Sequence, residues 1–120
     1  MNKSKALAIF AGATFFEGIG IFGVASAGTA AQTYVRAITP GSDHIVMVDV
    51  IAAVTAPAGC ATSTTANNRF ALDASTTVGK AMFATVLEAA AVNKKIDIVG
   101  SNACDLSPTV ESINYLTLYP

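Results

Sequence analysis

The segment Met1 to Ala27 constrains everything that follows it. Lys3 and Lys5 give a short positive start, Ala6 to Phe16 form an apolar stretch, and Ala25-Ser26-Ala27 offers a small-x-small cleavage site. That order is the three-part pattern of a secretory signal peptide. Ala6 to Ala27 is long enough to span a bilayer as an uncleaved anchor. Glu17 lies near its middle, however, where a charge is costly in lipid, and this favours a cleaved leader. The sequence predicts a signal peptide over 1–27, cleaved after Ala27 with Ala31 as the alternative. A single secreted or periplasmic domain then runs over 28–120, touching membrane only through the signal segment.

Export decides how the two cysteines are read. Cys60 and Cys104 are the only pair in the chain, and in an oxidising compartment they are expected to form one disulfide. The alternative is two unrelated buried thiols. A domain this small buries only about 60–65% of its unfolded surface, so a covalent tie matters, and closing a loop of this length contributes roughly 4 kcal/mol. Charge is sparse, with Lys+Arg 7 against Asp+Glu 8. No basic stripe exists to displace counterions from phosphate, which argues against nucleic-acid binding.

Along the domain, the pattern predicts short strands with one helix among them. Tyr34 to Ile38 reads as a strand, Thr39-Pro40-Gly41-Ser42 as a type II turn, and His44 to Val54 as a long β-rich run. In that run Val46, Val48, Val50 and Val54 share one face, and Asp49 lies on the other, where Arg36 of the preceding strand is its natural partner. Thr55 to Asn68 reads as a loop, and Arg69 to Asp73 as a third strand. From Thr77 to Val92, Val78, Met82, Val86 and Ala90 recur at helical spacing, with Ser75 or Thr76 as N-cap and Asn93 as a left-handed C-cap. Ile96 to Gly100 and Ser112 to Tyr119 complete the order β-β-β-α-β-β. A mainly β domain with one helix in that position predicts an OB-type, five-stranded Greek-key barrel.

No enzyme site emerges from the residues. The single histidine, His44, stands at a strand start with no nucleophile paired to it. One histidine and two bridged cysteines are too few for a zinc site, so neither a metal nor a cofactor is expected. Asp73, Asp97, Asp105 and Glu111 read as turn or rim residues. The strongest binding candidate is the polar run Thr62, Ser63, Thr64, Thr65, Asn67 and Asn68, whose hydroxyls and amides suit sugar hydroxyls. Tyr115 and Tyr119 could add a stacking face.

Cys60, Asn68 to Asp73, Gly79-Lys80-Ala81-Met82, Asn93 to Ile98 and Cys104 together form a pattern. It resembles that of small secreted bacterial proteins similar to the B subunit of subtilase cytotoxin, over roughly Thr33 to Tyr119. The resemblance implies an OB-type fold and a homo-oligomeric ring of five subunits that binds sialylated glycans. In such a ring the helices line a pore, which would suit the small face of Lys80, Ala84 and Glu88. No glycan-contacting residue of that family carries over to this chain. The expected function is an exported, non-enzymatic, toxin B-subunit-like binding subunit with a glycan or other cell-surface ligand. The alternative is a self-associating structural or interaction protein of the bacterial envelope. Cys60→Ala is expected to cost about 2–5 kcal/mol, read from the denaturation midpoint under non-reducing conditions.

Overall fold

The computed structural model describes residues 27–120; the signal-peptide reading of 1–27 lies, apart from Ala27, outside them. The elements run β1 (Thr29–Thr33), β2 (Val35–Pro40), β3 (Ile45–Val50), α1 (Thr62–Asn67), β4 (Arg69–Asp73), α2 (Thr77–Val92), β5 (Ile96–Gly100) and β6 (Glu111–Leu118). Among the described residues the fold is mainly β, as expected, with six strands and two helices rather than five and one. β4 and β5 fall on their expected bounds.

The six strands form one sheet in the order β1-β5-β6-β4-β3-β2. Every neighbouring pair is antiparallel except β4 and β6, which run parallel through Phe70↔Glu111 and Ala71↔Ser112. That parallel seam joins two antiparallel halves, β1-β5-β6 and β4-β3-β2. The two strands at the ends of the order, β1 and β2, are consecutive in the chain, separated by Tyr34 alone. Gln32 takes a positive φ of 52°, and the β1–β5 register shifts between Ala30 and Thr33. The backbone thus bends where it leaves one end of the sheet for the other.

Several expectations need correction. β1 was not foreseen, because Thr-Ala-Ala-Gln-Thr has no apolar alternation; its pairing with β5 and the complete burial of Ala30 hold it in place. The polar run expected as a loop folds as α1, with Thr64 fully buried beneath it. β3 ends at Val50 rather than Val54. There the Val50 amide turns to the Asn68 carbonyl, the Ile51 amide donates to the Tyr34 carbonyl, and the Ala52 amide donates to the Thr33 hydroxyl. The hairpin turn spans Gly41 to His44, two residues later than expected, with His44 at φ 69°.

The core is built from Val46, Val48 and Val50 of β3, Phe70 and Leu72 of β4, Ile96 and Ile98 of β5, Ile113 of β6, and Val86 and Ala89 of α2. Asn93 caps α2 in the left-handed region, and Thr76 accepts the Gly79 amide at its N-terminus, both as expected. The buried stripe of α2 is Gly79, Val86 and Ala89, flanked by half-buried Met82 and Phe83, while Val78 and Ala90 are exposed. Steps of four residues drift by about 40° each, so the predicted stripe spreads over about 120°, whereas 79, 82, 86 and 89 stay within about 80°. Gly79 fixes that rotation. A Cβ there would lie 1.6 Å from the Asp73 carbonyl oxygen, so only glycine lets the helix start so close to β4.

On the outer face of β3, Asp49 is buried and takes two arginines. Arg36 reaches it at 3.4 Å, as anticipated, and Arg69 grips both carboxylate oxygens at 2.7 and 3.0 Å. Those bonds raise the Arg69 pKa further.

At the seam lies a second buried carboxylate, Glu111, expected as a rim residue but wholly inaccessible to solvent. Its Oε2 accepts the amides of Gly28 and Asn102 at 2.9 Å, and its Oε1 accepts the amide of Ala58 at 2.8 Å. The Glu111 amide itself donates to the Thr64 hydroxyl at 2.8 Å. Gly100 leaves room for the carboxylate: a Cβ there would come within 2.0 Å of it. Cys60 and Cys104 form the expected disulfide, Cα to Cα 6.3 Å across a separation of 44 residues. It ties together the same two loops that feed amides to Glu111. Glu111→Gln should cost about 1–3 kcal/mol in urea unfolding, because its amide nitrogen must face at least one backbone N–H that then has no acceptor.

Candidate functional site

A solvent-open groove of about 350 Å³ lies between α2 and β6. One wall is the first half of α2, from Thr77 and Val78 through Ala81 and Met82 to Thr85; the other is Asn114, Tyr115 and Leu116. Its floor is apolar, through Ala81, Met82 and Leu116. Its rim carries the hydroxyls of Thr77, Thr85 and Tyr115 and the Asn114 amide.

A β-bulge builds the β6 wall. Val99 pairs with Tyr115 and Gly100 with Ile113, so Asn114 is an extra residue on β6 with no partner across the ladder. A regular strand would put Ile113 and Tyr115 on one face. With the bulge, Ile113 is buried at 7% exposure and Tyr115 is turned outward at 53%. Asn114 and Tyr115 therefore stand side by side at the groove, and re-aiming a side chain in this way is a common use of bulges. No feature of residues 112–119 announces the extra residue, so sequence alternation found Tyr115 but missed its neighbours in the groove.

The α2 wall starts at a fixed lip. Asp73 accepts the Ser75 amide at 2.9 Å and the Ser75 hydroxyl at 2.6 Å, while its carbonyl accepts the Thr76 hydroxyl at 3.1 Å. The Ser75 hydroxyl chiefly, then the Ser75 amide and the charge of His44, hold the Asp73 carboxyl below its ordinary pKa, against a smaller opposing effect of burial. Thr85 donates its hydroxyl to the Ala81 carbonyl at 2.9 Å, leaving its oxygen free to accept from a ligand.

The polar run chosen from sequence lies elsewhere, on α1. Much of its hydrogen-bonding capacity is used internally. Thr64 accepts the Glu111 amide, Ser63 bonds the Thr109 hydroxyl, and Thr65 donates to the Ala61 carbonyl. The Asn67 carbonyl accepts from Arg36, and Asn68 is the left-handed C-cap of α1, its amide 3.4 Å from the Ile51 carbonyl. Thr62, Thr65 and Asn67 remain exposed. Tyr119 stands apart from Tyr115, with its hydroxyl given to Asp97, a bond that raises its pKa. Asp97 also accepts the Gln32 amide at 2.6 Å, so this pair anchors the bend after β1.

The Asp73 lip has an acid dependence. A carboxyl with a depressed folded pKa contributes stability above its unfolded pKa, and that contribution is lost as pH falls through the folded value. Ser75→Ala should move the Asp73 titration, followed by carboxyl NMR, up toward the ordinary aspartate range and make the lip loosen at a higher pH. Comparison of the chain with protein-family models, characterised proteins and solved structures yields no match.

Proposed function

We propose that this chain is an exported, non-enzymatic binding subunit of OB-type architecture that engages glycans in the groove between α2 and β6. The observation that carries the reading is the bulge at Asn114, which sets an exposed tyrosine ring beside an amide, facing threonine hydroxyls across an apolar floor. A sugar presents the complementary surface: a C–H face that packs on an aromatic ring and hydroxyls that need a few placed donors and acceptors. The OB-type reading is supported by β1 and β2, which count as one bent strand serving both ends of the sheet order, leaving five strands in all. The Cys60–Cys104 disulfide is compatible with an oxidising periplasmic or extracellular location.

A second reading, self-association, is favoured by apolar side chains that α2 leaves exposed outside the groove, Leu87 and Val92 at 46% and 47%. Apolar side chains on one exposed helix suit a packing surface between copies. A closed pentamer in light scattering would join this reading to the glycan-binding one, whereas open-ended assembly would favour an envelope structural role.

The test is a glycan array spanning sialylated and neutral sugars, probed with the exported protein. Binding is expected, and Tyr115→Ala should weaken it by at least about tenfold, equivalent to about 1.4 kcal/mol, with the denaturation midpoint unchanged. Absence of binding across the array, or full retention by the Tyr115 variant, would remove the groove from the assignment.

A further inference from the structure

We propose that hydrolysis of the Ala27–Gly28 peptide bond creates a buried latch, in which the new α-ammonium group of Gly28 pairs with the Glu111 carboxylate. The inference rests on the export reading above. Three observations carry it.

Glu111 is a fully buried carboxylate whose recorded donors, Gly28, Ala58 and Asn102, are all neutral backbone amides. Both ion pairs found among the described residues go to Asp49. A buried charge without a counter-charge is a costly arrangement.

The Gly28 nitrogen is one of those donors, at 2.9 Å. A Cβ on residue 28 would meet Glu111 Oε1 at 2.7 Å and Val54 Cγ1 at 3.0 Å, so both carboxylate oxygens crowd this position and only glycine fits.

The small-x-small triplet Ala25-Ser26-Ala27 ends at the residue before it. A cut after Ala31 would instead sever β1 and remove Ala30 from the core, together with the bond between the Gly28 carbonyl and the Gly100 amide.

In the cleavage, water adds across the amide under the action of an endopeptidase of exported proteins. The water oxygen bonds to the Ala27 carbonyl carbon as the C–N bond breaks, Ala27 leaves as a carboxylate on the leader, and the Gly28 nitrogen, which already holds one hydrogen, takes up both protons of the water and becomes an ammonium. A hydrogen bond with charge on the acceptor alone is thereby replaced, at the same place, by an ion pair with charge on both partners. Removal of the leader then tightens the junction between the first strand, the seam and the two disulfide-linked loops.

The experiment is to express the full chain with its leader in an exporting bacterial host and recover the exported protein for N-terminal sequencing and intact mass. A chain beginning at Gly28 is expected. In the folded protein its α-amine should react with an acylating ester at least about tenfold more slowly than in the same protein reduced and unfolded, because reaction requires local opening. Glu111→Gln should abolish that protection; where this variant does not accumulate, the folded-against-unfolded comparison of the unsubstituted protein decides alone. An exported chain cut elsewhere, or a Gly28 amine equally reactive in both states, overturns the latch and leaves export intact. A chain that stays whole and inside the cell overturns both.

Discussion

The Glu111 carboxylate is the point on which the tertiary arrangement depends. Strand pairing alone accounts for the two antiparallel halves, but the long loop from Ile51 to Ala61 and the loop from Ser101 to Val110 have few ladder bonds of their own. Glu111 gives them a shared acceptor. It stands at the start of β6, opposite Phe70 on the parallel seam, and gathers amides from the entry to β1 and from both loops. Because buried backbone donors cannot be left unmatched, these segments have one compatible arrangement around it. The disulfide then restricts the same two loops in the unfolded chain. One device acts on the native state and the other chiefly on the denatured one, and they converge on the same junction.

Asp49 offers an instructive contrast. It too is a buried carboxylate, yet it is neutralised by two guanidinium groups on adjacent strands, and its arginine partners remain partly in water. That cluster fixes cross-strand register on the outer face of β2, β3 and β4. Glu111 organises segments far apart in the chain. The first could be anticipated from strand patterning, since Arg36 and Asp49 belong to neighbouring strands. The second could not, because its donors are main-chain amides that carry no sequence signal.

The same distinction explains what was legible. α2, its caps and the strands β3 to β5 follow from local pattern, since Thr76, Asn93 and the alternating valines act on their immediate neighbours. β1 and α1 were missed because tertiary contacts stabilise them despite weak intrinsic signals: Ala30 and Thr64 are the buried residues that anchor them. Of the groove, only Tyr115 was legible. Its other members belong to two elements that meet through folding, and the rotation of α2 depends on a glycine contact with Asp73 that no periodicity reveals.

The strand order has a consequence for when the molecule can fold. β1, at the beginning of the domain, hydrogen-bonds within the sheet to β5, and the seam that unites the halves needs β6, the last strand of all. Contacts of such sequence separation pay their chain-ordering entropy before any reward, so assembly is slow relative to local helix formation. A ribosome must release almost the entire polypeptide before the core can close.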